Sequence, residues 1–435
     1  MHSLPNIPES DKPRVVVAGA GFAGLRLVRS LIKRNFQVVL IDRNNYHQFQ
    51  PLYYQVATSG LEPSSIAFPL RKLFQGIPDF HFRMAELKKV DPGKKVIVTS
   101  IGSLGYDILV LALGATNNFF GNKELEANSL PMKSVSEAIR LRNLLLENYE
   151  EALNLASGSA QEPIMNIAVV GGGPTGVELA GSIADMKQFV FPSDYPELDF
   201  SLMKIFIIES AGRLLSPMSE SASRKATKYL TDMGVTVKTG TAVQGYDGST
   251  ATLSNGEKIS CRTLLWAAGV RVPDIKGLEN ATRGRAGRMV VDRYSCLSNH
   301  NDIYVVGDQS IMTEEAFPDG HPQVAQPAIQ QARLLAENLI RKSKNQEMVP
   351  FRYHDKGSMA TIGRNKAVVD IGRIHIGGFV AWLIWILVHL MAIVGTKNRF
   401  FIFINWAWNY LTYDQSLRLI IRQGPSSISE AKPNN

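Results

Sequence analysis

Cysteine is nearly missing: Cys261 and Cys296 are the only two in 435 residues. Their separation excludes a CxxC redox pair and a zinc knuckle, so both thiols are read as structural in a reducing compartment, and disulfide-reductase chemistry is disfavoured. Charge blocks are missing too. The 47 Lys and Arg against 39 Asp and Glu leave a formal +8, spread along the chain without an aromatic-spaced basic motif, so no nucleic-acid partner is expected. A mild attraction to anionic lipid is the sharper reading of the surplus. The opening MHSLPNIPESDKP lacks the apolar core of a signal peptide, so the bulk of the protein is expected in the cytoplasm. No apolar run comfortably matches a bilayer. The longest, FVAWLIWILVHLMAIV (379–394), has one polar residue, His389, in sixteen. As a helix it covers about 24 Å against a hydrocarbon core of about 30 Å.

What is present is globular: 45% apolar and 20% charged residues, with room for two or three domains that each bury a core. Residues 14–42 read as strand, turn, helix and strand, from RVVVAGA through AGLRLVRSLIKRN, with Leu25, Val28 and Leu31 or Ile32 on one face, to QVVLID. Residues 164–209 repeat the scheme as IMNIAVVGGG, PTGVELAGSIADM and LMKIFIIES, an internal duplication of a βαβ unit. DILVLALG (107–114) and RTLLWAAG (262–269) are further strands ending in Gly. VAQPAIQQARLLAENLIRK reads as a helix, and 145–163 as a helix and soft linker.

Each βαβ unit carries GxGxxG between its first strand and helix. In the first, Gly19 permits the tight turn, Gly21 lets backbone approach a pyrophosphate, and Gly24 allows close helix–strand packing. The helix N-terminus adds free N–H groups and a partial positive charge. Asp42 closes the next strand, where a carboxylate takes both ribose hydroxyls. The second has Gly171, Gly173 and Gly176, with Glu209 ending its second strand. An acid there accepts from a free 2′-hydroxyl and repels a 2′-phosphate, so NADH is expected over NADPH despite Arg213 nearby. Two cradles in one chain imply hydride exchange between a pyridine nucleotide and a second dinucleotide, for which flavin is the natural candidate. Asp308, after Gly307 in NDIYVVGDQS, resembles the acid that holds the ribityl chain in two-dinucleotide flavoproteins.

Five further segments carry a narrower resemblance: HQFQPLYYQVATSGLEPSSIAFPLRKLF (47–74), GPTGVELAG, AQPAIQQA (325–332), DKGSMATIGRNKAVVD (355–370) and NWAWNYLTYDQSLRLI (405–420). Together they resemble type II NADH dehydrogenase, the single-subunit, non-proton-pumping NADH:quinone oxidoreductase, over residues 14 to about 423. The resemblance implies an α/β fold of two Rossmann-like dinucleotide-binding domains plus C-terminal membrane-attachment helices. It implies non-covalent FAD held by Gly19, Ala20, Gly21, Phe22, Ala23, Gly24, Asp42, Arg43, Gln55, Asp308, Ala325, Gln326 and Lys356. NADH would lie on Gly171, Gly173, Pro174, Thr175, Gly176, Glu178, Glu209 and Gly269. Ala325 and Gln326 begin a helix whose positive end would face the flavin and ease hydride acceptance, with Lys356 adding a cation. Glu178 is implicated in positioning NADH and in proton handling; its plainer reading is a carboxylate complementing the helix dipole. Gln326 and Gln330, on one helical face, would line the quinone entrance, and Pro327 marks the first turn. Glu178 and Lys356 are the catalytic candidates, and no metal is needed.

The implied division is an FAD domain in two parts (1–120 and 276–345), a connecting helix and linker (121–163), an NADH domain (164–275) and a membrane-anchoring region (346–435). In the last, Trp406, Tyr410, Tyr413, Leu417 and Ile421 recur every three or four residues, beside a polar stripe of Asn405, Asn409, Thr412 and Ser416. With Lys397, Arg399, Arg418 and Arg422 around it, this reads as an aromatic amphipathic helix at a bilayer interface. The expectation is a homodimer attached monotopically to the cytoplasmic face of the inner membrane, reducing menaquinone or ubiquinone. A transmembrane helix at about 376–395 is the runner-up, tested by protease access to 425–435. His389 is expected to be a packed residue without a catalytic role. The competing functions are a sulfide:quinone oxidoreductase, which needs a cysteine pair at the flavin, and a non-catalytic NADH-sensing flavoprotein.

Overall fold

The computed structural model describes residues 3–156, 158, 160–412 and 417–421. The chain divides into two compact units, one drawn from 1–48, 67–118 and 269–356, the other from 49–66, 119–268 and 357–435.

The first unit is built on a five-stranded parallel sheet in the order Ile303–Val305, Ile108–Leu111, Arg14–Ala18, Gln37–Asp42, Phe80–Met84. Val15, Val16 and Val17 are fully buried, as a strand covered on both faces requires. Helix Phe22–Leu31 packs Leu27, Val28 and Leu31 inward and runs against helix Ala325–Ser343. A three-stranded antiparallel meander, 87–105, follows the fifth parallel strand.

The second unit repeats this plan. Its parallel sheet runs Leu130–Pro131, Thr263–Trp266, Ile167–Val170, Ile205–Glu209, Val235–Thr239, with Val169 in register with Ile207 on one side and Leu265 on the other. A meander of strands between 243 and 260 again follows, so the duplication read from the glycine motifs extends to the topology. Helix Val135–Ala152 starts ten residues before the helical segment read from the sequence. Ser134 caps it by accepting the N–H of Glu137.

The second unit also carries a third meander, Ser358–Gly363, Lys366–Ile371 and Ile374–Gly377, followed by helices Phe379–Ala392 and Thr396–Thr412. Strand Ser358–Gly363 lies on helix Pro174–Phe189. A Cβ on Gly181 would come within 1.9 Å of the Ile362 carbonyl oxygen, so only glycine permits the contact. Among the described residues no helix is long and apolar enough to cross a membrane.

The C-terminal helix departs from the sequence reading. It is described over Thr396–Thr412, and 417–421 are not helical; Tyr413, Ser416, Arg422 and 425–435 lie outside the described residues. Asn405, Trp406, Asn409 and Tyr410 of its aromatic and amide face are half-buried. The Trp406 indole N–H donates to Gln55 Oε1 at 2.7 Å and the Asn409 amide to Gly60 O at 3.1 Å. Periodicity located the stripe but not its orientation: polar N–H groups require acceptors, and these lie on the protein side. The exposed face is Phe400, Phe401, Phe403, Ile404, Trp408 and Leu411.

Candidate active site

In the first unit, Gly19 has φ +105°, and a Cβ there would lie 2.2 Å from the Ala112 carbonyl oxygen. A Cβ on Gly24 would lie 1.8 Å from Gly19 O, while one on Gly21 would meet nothing within 4 Å. In the second unit Gly171 has φ +111°, Gly176 would place a Cβ 1.9 Å from Gly171 O, and Gly173 again faces open space. The outer glycines close the turn and dock the helix; the middle one leaves backbone accessible to a ligand. Neither helix N-terminus is capped by a side chain, and neither first turn holds an acid. Two glycine turns that open onto helix N-termini without a side-chain cap therefore fit two dinucleotides.

The acids expected at the riboses are held by these turns. Asp42 accepts N–H bonds from Ala20 and Asn44, each at 2.7 Å. Burial raises its carboxyl above the usual range, and those two bonds offset part of the rise. Glu209 accepts from Gly172 at 2.5 Å and Ala211 at 2.7 Å. Ala20 and Ala23 are buried, Gly21 and Phe22 half-buried, and Arg43 exposed; Pro174 and Thr175 form the exposed lip of the second cradle. One residue not assigned a role from sequence, His47, fixes the first turn. Its Nδ1–H donates to Ala20 O at 2.8 Å, its ring lies edge-on to Phe22, and burial pulls its value down to about 4.

Elsewhere in the first unit, Gly307 (φ +72°) precedes Asp308, whose carbonyl accepts from the Gln323 amide at 3.0 Å. Gly269, φ +75°, accepts from Asn118 N–H. Ala325 opens its helix as expected. Gln326 Oε1 accepts from Lys356 N–H at 3.1 Å; the Gln330 amide donates to His354 O at 2.9 Å and accepts from His354 N–H at 3.1 Å. The two glutamines thus strap 354–356 to the helix, and the Lys356 side chain is exposed.

A cavity of about 160 Å³ lies wholly within the second unit. Helix Pro174–Phe189 contributes Glu178, Ser182 and Asp185 to it, segment 49–66 contributes Tyr54, Gln55 and Thr58, and Thr361 and Arg364 come from the third meander. Trp382 and Trp385 from one C-terminal helix and Trp406 and Tyr410 from the other supply aromatic walls. Glu178 is 8% exposed, with Thr361 N–H 3.5 Å from its Oε1. Burial pushes its carboxyl up to about 8, only partly offset by Thr361 N–H and the Trp385 indole. Such a carboxyl holds its proton more firmly than an exposed one and is able to donate it. Gln55 bridges two walls, its amide donating to the Tyr54 hydroxyl at 2.8 Å while its carbonyl accepts from Trp406. Arg364 stacks on Tyr410, 4.1 Å from the ring centroid. His389 is packed as expected, stacked on Trp385 at 4.0 Å with its value lowered by burial to about 4.

Sequence reasoning named Glu178 for NADH and proton handling and Gln55 for FAD; both line this cavity, and Tyr54, Trp385 and Arg364 were not reached as companions. The adjacent aromatics of PLYYQVA were the available signal. Neither cysteine resembles a nucleophile: burial raises Cys261 to about 12 and Cys296 to about 11.

Paired dinucleotide cradles on duplicated parallel sheets define a class of two-domain nucleotide oxidoreductases, and residues 13–332 match the Pyridine nucleotide-disulphide oxidoreductase family. Residues 355–413 match the NDH2 C-terminal domain. The chain is 30% identical to the Type II NADH:quinone oxidoreductase Ndh of Mycobacterium tuberculosis, over 94% of this chain and 90% of that protein. It is 31% identical to the Type II NADH:quinone oxidoreductase NdhA of the same organism, over 92% and 87%. Its fold is similar to that of NDH2 from Plasmodium falciparum in complex with NADH, with TM-score 0.86 and 21% identity over 94% of this chain and 100% of that one. The protein belongs to the type II NADH:quinone oxidoreductase family.

Proposed function

We infer that the protein oxidises NADH and passes two electrons to a membrane quinone through a flavin, without pumping protons. One observation carries the reading. A buried acid, Glu178, leaves the nicotinamide-type cradle on a shared helix and closes an aromatic slot whose far wall is two helices with apolar outer faces. Such a slot suits a flat, lipid-dissolved ring that must be protonated as it is reduced.

The residues divide the work. Gly19–Gly24, Asp42 and Asp308 would hold FAD, and the flavin would supply the two-electron chemistry linking NADH to quinone. Gly171–Gly176 hold the NADH pyrophosphate, and Glu209 favours a free 2′-hydroxyl, so kcat/KM should favour NADH over NADPH. Tyr54, Gln55 and the tryptophans orient the quinone, and Glu178 protonates an oxygen of it. Gln326 and Gln330, which the resemblance puts at the quinone entrance, also fix the Lys356 segment. Holding the reactants in near contact supplies much of the barrier reduction.

Attachment to a membrane is supported by the exposed Phe379, Leu383, Leu387, Phe400, Phe401 and Leu411. The inner membrane's cytoplasmic face, a homodimer, and FAD as the flavin rest on the resemblance of the motifs. The deciding experiment is anaerobic: NADH should bleach the bound yellow chromophore, and a menaquinone or ubiquinone analogue should restore it. Bleaching without recovery would leave a non-catalytic NADH sensor.

A further inference from the structure

Glu178 is only 8% exposed, and Thr361 N–H donates to its Oε1. Quinone reduction nevertheless consumes a proton from water, because NADH + H⁺ + quinone gives NAD⁺ + quinol. The hydride brings two electrons and one proton, so the acid must be reloaded at every turnover.

The same helix carries the means. Glu178, Ser182 and Asp185 stand at i, i+4 and i+7, on one face, and all three line the cavity. Asp185 is half-buried at the outer end of the row, whereas Glu178 is buried. The two acids are about 10 Å apart along the axis, too far for direct transfer. Between them Ser182 Oγ lies 2.8 Å from Thr58 Oγ1, which itself donates to Tyr54 O at 2.9 Å. A cavity of about 160 Å³ beside these hydroxyls has room for several waters.

We propose that Asp185 is the proton-loading residue for Glu178, passing protons from solvent along the Ser182 and Thr58 hydroxyls and cavity water. This rests on the reading of the cavity as the quinone site. In each turnover a Glu178 O–H bond breaks as a quinol O–H bond forms, the electrons coming from NADH. The Glu178 carboxylate then takes the proton relayed from Asp185, and Asp185 takes one from water. Asp185 acts through Glu178, never on the substrate.

Its surroundings fit the task. The groups facing it are Arg364 and Lys366 from the third meander, Tyr54 from segment 49–66, and Glu178 and Ser182 on its own helix. Burial raises its carboxyl to about 6, against the pull of Arg364 N–H, Lys366 and the Arg364 guanidinium, so it exchanges protons readily near neutrality. Its second duty is structural, because Oδ2 accepts Arg364 N–H at 2.9 Å and so holds the 363–366 turn.

Asp185→Asn separates the two duties, since an amide oxygen still accepts that N–H. Reoxidation of the NADH-reduced protein by a short-chain quinone should slow about tenfold relative to reduction by NADH. The loss should grow toward alkaline pH, and both formate and Asp185→Glu should restore the rate. Infrared titration of the resting protein should show a carboxyl band that Asp185→Asn removes, a readout independent of turnover. An Asn variant with unchanged quinone rate and pH profile overturns the proposal. So does a loss matched by a fall in Tm and left unrestored by Glu or formate, which would make Asp185 only the anchor of the turn. Should the unaltered protein reduce no quinone, the site reading fails instead, and the two failures are distinct.

Discussion

At the scale of one side chain, Glu178 carries the proposed chemistry. A carboxyl raised from the usual 4.5 to about 8 binds its proton more tightly in the fold than in the unfolded chain. The stability this gives is complete below about pH 4.5 and is lost as pH rises toward about 8. Glu178→Gln should therefore raise Tm relative to the unaltered protein at alkaline pH, with the gain shrinking toward about pH 5, as calorimetry across that range would record. The same change should slow quinone reduction about a hundredfold by removing the donated proton. His47 has the opposite sign. A ring lowered from 6.5 to about 4 contributes stability at neutral pH that is lost as pH falls between those values.

At the scale of the element, the glycines in and just before helix Pro174–Phe189 divide into two that hold the fold and one that faces open space. Gly176→Ala and Gly181→Ala would drive a methyl to 1.9 Å from Gly171 O and Ile362 O. Both should lower Tm, by at least about 1–3 kcal/mol of stability, and Gly181→Ala should also separate Thr361 N–H from Glu178. Gly173→Ala meets no protein atom within 4 Å, so it should fold normally and weaken NADH binding, a contrast that calorimetric titration resolves. The cradles were legible because their chemistry is local: three glycines, a helix start and an acid at the end of the next strand. The Gly181 contact was not, since its partner lies far along the chain at Ile362. The wall of Tyr54, Trp385 and Arg364 was hidden for the same reason.

Over the whole molecule, the duplicated plan was readable from two repeated motifs, and the structure extends it to strand order and to the antiparallel meanders. The C-terminal helices were readable in composition only. Their hydrophobicity announced a surface for lipid, yet Trp406 and Tyr410 belong to the cavity, because their polar partners are in the protein. Lipid contact is therefore expected from the opposite faces, where Leu387 is 62% and Phe400 61% exposed. Leu387→Glu with Phe400→Glu should abolish co-sedimentation with phospholipid vesicles while leaving NADH oxidation by a water-soluble acceptor intact. If binding survives, those faces are not the attachment surface.

In the proposed site, helix Pro174–Phe189 turns its tip to a phosphate and its flank to a line of exchangeable protons. Along such a rod, letters are easier to change than lengths. A single residue added between 178 and 182 would swing everything beyond it through about 100°, carrying Ser182 and Asp185 away from the hollow while leaving the glycine turn where it was. Divergence among descendants of this chain should accordingly accumulate as replacements within those sixteen positions and be nearly barred from insertions there.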